Sequence, residues 1–351
     1  YDVSTMATES IADTGGTFTG DVTFADGADI ITASAGTDNV RLGDGAGASI
    51  ASGGNQNTLI GKDAGTALTT GDANVIVGHS AGDAFTDADY NVAVGFGALS
   101  SDTKGDRSVA IGLNALTSQN HTSATTTNNT AVGDNAGYSV TTGTNNTLIG
   151  ALSGDAITTG GSNTAVGSYS MTTLSTGSDN VAVGTSALDV ATTGSNNTAV
   201  GRNALGANTD ASNNTAVGKD ALLVNTTAGV NTAVGALALS SNTTPANNTA
   251  VGYNALGANT TGNNNVALGS YALDADTTGY NNVAIGQNAS TALTEGNSTT
   301  SIGQNALAQS TTANDNTALG SMAGYNCTDG HSNTFVGRLA GYLSTTTGDL
   351  N

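Results

Sequence analysis

Apolar and polar positions along the chain repeat with a period much longer than that of a helix or a strand. A short unit recurs eighteen times: Thr or Val, a residue that is small or apolar in all but the first copy (Arg41), then Val, Ile or Leu, then Gly. Counted between these anchor glycines, from Gly43 to Gly337, fifteen of the seventeen spacings are 17 residues. The exceptions are 18 residues at the first step and 21 between Gly112 and Gly133. So strict a period predicts one structural unit per repeat, each stacked on its neighbours.

The columns of the repeat say what the unit is. The residue before the glycine is aliphatic in every repeat, and the third before it is Thr or Val. With Ala between them in twelve repeats, these positions predict a short strand with side chains on opposite faces. The β-branched pair and the flanking Gly and Asn disfavour a helix. Asn stands fourth before the glycine in all repeats except those of Ser108 and Thr299. Copies stacked at about 4.8 Å would form an amide ladder, and Asn also suits the turn before a strand. After the glycine, Ala or Ser at the third position is followed by Leu in nine repeats and Gly in seven, which reads as a second short strand or extended segment. Seven residues before the anchor, Gly, Ala or the single Pro245 marks an outer corner, where a missing N–H is tolerated. The structural columns are exemplified by Asn129, Val132 and Gly133; Asn197, Val200 and Gly201; Asn214, Val217 and Gly218; and Asn248, Val251 and Gly252.

This pattern predicts an all-β fold, a parallel β-solenoid or β-roll of about 18 coils with a 17-residue repeat. At about 4.8 Å per coil the rod is on the order of 85 Å long. Residues 39–351 are expected to form the shaft. Residues 1–38 read as a connecting segment with a short β-hairpin at "TFTGDVTF" (17–24). Adjacent strand positions are both apolar, so burying one face alone would leave a long stripe in water. Valines such as Val217 are therefore expected to be buried, with several rolls packed side by side. Which apolar column faces the coil interior stays open at this point.

At "NNVAIGQNA" (281–289) and "RSVAIGLNAL" (107–116) the chain resembles the head repeats of trimeric autotransporter adhesins. The longer unit "NNTAVGxxALxxNTTG" is similar to repeats of bacteriophage tail fibres, and "GGTFTGDVTFADGADI" (15–30) to segments common in such fibres. The resemblance covers roughly residues 39–341 and is shared by viral and bacterial proteins. It implies a homotrimeric, rigid, extracellular rod that spaces or presents a host-receptor-binding tip. The threefold symmetry comes from this resemblance alone. The implied partners are two further copies of the chain, virion or cell-surface attachment proteins at the ends, and a host-surface receptor, a glycan among the candidates. The implied location is a virion tail fibre, with a bacterial surface adhesin as the alternative. No heptad stalk or membrane-anchoring β-barrel segment is recognised.

Composition narrows the chemistry. Charged residues are 10% and aromatics 4%, with no Trp, against about a quarter charged in ordinary domains. The formal net charge is -20, from 27 acidic residues and seven Lys plus Arg. Without clustered cations, nucleic acid and anionic membranes are poor partners. No apolar run reaches the length of a membrane span. A lone Cys327 excludes an intrachain disulfide framework. The chain opens at Tyr1 without an initiator Met or signal peptide, as expected of a processed product or of part of a longer protein.

No enzyme is expected, and no catalytic, cofactor or metal residue is assigned. His79, His121 and His331 lie in different columns and are each expected to be exposed polar residues rather than metal ligands. The serines lack a "GxSxG" elbow, and the glycines lack a "GxxxxGK[ST]" loop. Asp87 and Asp89 read as a solvated loop. Ca²⁺ stays unassigned: "GDGAGAS" (43–49) and "CTDGHSN" (327–333) are weak candidates, and the Ca²⁺-binding nonapeptide is missing. The insertion at 117–129 is the one break in the shaft, and a loop there is where binding is easiest to add. Ice binding is a lesser alternative, since it needs Thr alternating on a flat face, and the paired Thr of the "TTG" turns are adjacent.

Overall fold

The computed structural model describes residues 35–343, and among them there is no helix. The hairpin expected at 17–24 lies outside the described residues. Eighteen three-residue strands, from Val40–Leu42 to Thr334–Val336, form one parallel sheet. Each strand pairs with its neighbour one repeat away, in register: Thr198↔Thr215, Ala199↔Ala216, Val200↔Val217. The chain is a parallel β-solenoid, as the 17-residue period demands.

The strand's middle residue points inward. Ala199, Ala216, Ala233 and Ala250 are fully buried, and the Thr and Val on either side point outward and are half-buried. Val217, expected to be buried, is therefore an outer residue of the single chain. The interior is completed from the far side of the coil by the Ala column, such as Ala204, and the Leu column, such as Leu205.

That far side is not the second strand the sequence suggested. It is a run of turns in which alternate residues are left-handed, for instance Asn203 (φ 56°) and Leu205 (φ 52°). The reversals aim successive peptides along the rod axis in opposite senses. Asn203 donates its N–H to Thr185 O in the coil before, at 3.1 Å, and Leu205 donates to Ala221 O in the coil after, at 3.0 Å. A Leu with positive φ is strained; burial of its side chain against the Ala column compensates.

Volume is conserved within each coil. Where Gly replaces Leu, a larger residue fills the space from the strand or from the position three residues on. Leu148 and Ile157 flank Gly154, whose missing Cβ would sit 2.6 Å from Leu148 Cδ2 and 2.9 Å from Ile157 Cδ1. Leu59 and Leu68 do the same around Gly65, and Phe85 beside Gly82. Among the described residues the apolar core is interrupted only where Ser290 and Ser301 replace apolar residues together, and their hydroxyls bond at 2.9 Å.

The anchor glycines from Gly43 to Gly320 are required twice over. Their φ, +138° at Gly218 and +132° at Gly201, is a conformation essentially reserved for glycine. A Cβ on Gly218 would also lie 2.5 Å from the carbonyl carbon and oxygen of Gly235 in the next coil. Gly218→Ala is expected to cost roughly 3 kcal/mol through strain and overlap, read as a lowered urea midpoint. Thr215→Val on the outer face should leave that midpoint within about 0.5 kcal/mol. Equal midpoints for wild type and Gly218→Ala would contradict this account of the corner.

Candidate functional site

Two features stand apart from the bare scaffold: the outward strand face and the insertion. The face is built from the first and third residues of every strand, such as Thr215 and Val217 or Thr249 and Val251. All its positions are Thr, Val, Ile or Leu, so not one is charged, although the chain carries a net charge of -20. Several are distinctly open to solvent, including Leu268 (44%), Leu319 (46%) and Val336 (64%). Eighteen strands of three residues span a footprint of roughly 850 Å² by strand spacing and rise. Its first position is Thr in eleven strands and its third is always aliphatic, so the face is uncharged and largely aliphatic along its length, a composition that marks interaction surfaces when it is continuous.

Behind the face, polar columns fasten coil to coil. Asn129, Asn197, Asn214 and Asn248 are buried. Asn197 Oδ1 accepts the backbone N–H of Asn214 at 3.0 Å, and Asn214 Nδ2 donates to Ala228 O at 2.9 Å. The ladder is thus mainly side chain to backbone, and each amide satisfies two groups of the next coil. Amide-to-amide contacts also occur, as from Asn197 Nδ2 to Asn180 Oδ1 at 3.2 Å. The corner carbonyls that accept include that of Pro245, which takes Asn231 Nδ2 at 3.0 Å.

A second column was not anticipated. Seven residues after the anchor, Asn208, Asn225, Asn242 and Asn259 are fully buried and bonded amide to amide at 3.0–3.1 Å. The signal was present, because Asn occupies this slot only in coils whose Leu column is filled. Asp276 takes the next slot and is also fully buried. Its Oδ1 accepts the Gly279 N–H at 2.8 Å, and Oδ2 accepts from Asn282 Nδ2 at 3.3 Å. Burial, working against these hydrogen bonds, pushes its carboxyl up to about 6.

Thr hydroxyls form a third column on the "TTG" corner: Thr226 Oγ1 donates to Thr243 O at 3.2 Å and Thr243 Oγ1 to Thr260 O at 3.1 Å. The acids Asp87 and Asp89 do not share one task. Asp87 pairs with Lys104 at 3.3 Å, whereas Asp89 Oδ1 accepts the Asp72 N–H at 2.7 Å in a fourth coil-to-coil column. His331 belongs to that same column, its Nδ1 accepting the Asn314 N–H at 2.9 Å. His79 stacks on Phe96 with ring centroids 5.2 Å apart.

His121, expected to be exposed, is instead 94% buried, at 6% exposure. The insertion explains this. Thr125–Thr126 pairs in parallel with Gly105–Asp106, and the turn turns back inward around the exposed tip of Thr122, Ser123 and Ala124. That fold drives Gln119, His121 and Thr127 into the interior beside Asp102 and Ser108. Asp102 Oδ2 accepts Gln119 Nε2 at 2.5 Å, and Oδ1 accepts the N–H of His121 at 2.9 Å. Burial opposes the charge of Asp102, yet bonds from His121 and Gln119 outweigh it and hold the carboxyl below its usual range.

For Ca²⁺, neither candidate stretch gathers ligands: among the described residues no three His, Cys, Asp or Glu come together. The 327–333 stretch is a corner whose Cys327 is buried in the same slot as Asn208. No protein-family model matches the chain, and no curated protein is significantly similar to it.

Asp276 yields a pH prediction. Its folded-state value lies above the ordinary carboxyl value, so the folded chain holds the extra proton between about pH 4 and about pH 6. Stability from this site is present at low pH and is lost as pH rises through that window. Asp276→Asn restores an amide to the column and removes the loss. Urea unfolding should find the variant more stable by up to about 3 kcal/mol at neutral pH and nearly equal to wild type near pH 4. A pH-independent difference would refute this reading.

Proposed function

We propose that this chain is the shaft of an extracellular fibre, packed as a homotrimeric rod, and that the fibre is a bacteriophage tail fibre spacing or presenting a host-receptor-binding tip. The observation that carries the reading is the long, uncharged, β-branched strand face. For a chain of this acidity, self-association needs a surface on which like charges do not meet. Roughly 850 Å² matches the area that each partner contributes to a standard stable interface. In-register parallel coils supply the rest of a shaft's requirements. Contacts run only between neighbours, so coils can be added or removed without redesigning a core. Backbone and side-chain columns run along the axis and resist bending. Three copies of a tip add avidity on a repetitive cell surface. The role is mechanical, and the polar residues act on the backbone rather than on a substrate.

The symmetry of three and the viral owner rest on the repeat resemblance. Antibody labelling of particles and cells separates the owners: label on virion tails supports the tail fibre, and label on the bacterial envelope supports a surface adhesin. The packing has its own test. Val200→Asp, Val217→Asp and Val251→Asp together place three charges on the outer face of each chain without entering the coil interior. Sedimentation should show the assembly falling to single chains that keep their β-sheet circular dichroism. An assembly of unchanged size would reject the strand face as the contact.

A further inference from the structure

We propose that His121 and Asp102 form a proton-controlled latch that holds the insertion, residues 117–129, closed against the solenoid. Every other full repeat after the first step spans 17 residues, and the slot seven residues after its anchor holds a neutral side chain or a single acid. At this one break the closure depends on a buried imidazole. Nδ1 of His121 lies 3.9 Å from Asp102 Oδ1, and neither ring nitrogen completes a hydrogen bond. Nδ1 nevertheless faces the Asp102 carboxylate, and the backbone carbonyl of Thr142 in the following coil lies near enough to favour the protonated ring.

Two acceptors suit a ring that carries two protons. The imidazolium can donate to both with a small tightening, and it neutralises a carboxylate that is itself fully buried. The neutral ring has one N–H, so one lone pair must face an acceptor, and Asp102 loses its counter-charge. Asp102 does not adapt by taking the proton, because Gln119, the His121 N–H and the Gly105 N–H already hold it as an anion. Loss of a buried counter-charge is the kind of change that local structure does not absorb.

The charged groups around the ring leave Asp102 as its controlling partner. On the preceding coil, Lys104 turns outward to Asp87, Asp106 Oδ1 binds the Asp89 N–H, and Arg107 sits over Tyr90 at 4.9 Å. On the following coil the neutral Thr142 carbonyl acts on the ring, and the charged residue of that coil, Asp134, sits at the anchor corner next to Gly133. The neighbouring Asp102 carboxylate raises the His121 value, against the opposing effect of burial. The sign follows. The latch is closed below the ordinary His range and opens as pH rises through the raised value. Opening frees the exposed tip and the two-residue pairing of Thr125–Thr126 with Gly105–Asp106, and leaves the coils on either side stacked.

Hydrogen exchange by mass spectrometry on the full chain, corrected for intrinsic rates, tests this at about pH 6 and about pH 9. Peptides covering 117–127 should lose protection by about tenfold or more at the higher pH, while peptides covering 198–251 should not change. His121→Gln should remove the step, with protection of 198–251 reporting that the variant is folded. Asp102→Asn should lower the pH at which the His121 ring titrates by NMR. A pH-independent loop, or a step that survives in His121→Gln, would overturn the latch.

Discussion

Each coil must satisfy its peptide groups through the coil above and the coil below, and this governs the whole solenoid. A three-residue strand supplies only a few axial hydrogen bonds. The remaining residues of the repeat must turn a closed circuit while still aiming N–H and C=O groups along the axis. The left-handed residues at Asn203 and Leu205 do so by flipping successive peptides. Where no backbone partner can reach, a side chain stands in: Asn214 and Asp89 each bond the main chain of an adjacent coil, and Thr226 Oγ1 adds a second bond to a carbonyl its own N–H already reaches. Unpaired buried amides would be too costly for so thin a core.

That constraint explains a composition which otherwise looks poor for folding. With coils stacked in register, corner backbones pass so close that Gly218 has no room for a Cβ. The inner column must be small, hence Ala216, because Leu222 reaches across the same narrow space. Where Leu148 occupies the strand, Gly154 gives way to it. Gly, Ala, Asn and Thr dominate because each column has one geometric task. Large residues are admitted only one or two per coil.

Much of this was legible in the sequence. The 17-residue period, the strand ending at each glycine, the Asn column and the corner at Pro245 all follow from recurrence, because identical coils must place identical residues alike. The second strand was misread because "AL" looks like an alternating pair, and nothing local signals that a Leu will adopt a positive φ. The inward face was undecidable between Ala216 and Val217, since both columns are apolar; the opposing Leu column settles it by volume. His121 was missed because its burial depends on the insertion folding back, which no periodic argument reaches. Asp276 was hidden for the opposite reason: its column is periodic, but it varies with the Leu column.

The central claim is that the uncharged strand face brings copies of this chain together as a rod. Solution mass by light scattering on the intact chain, with particle images of the same sample, tests it most directly. The account predicts three times the 34.0 kDa chain mass and thin, straight particles. A stable single-chain mass across the accessible concentration range would contradict it.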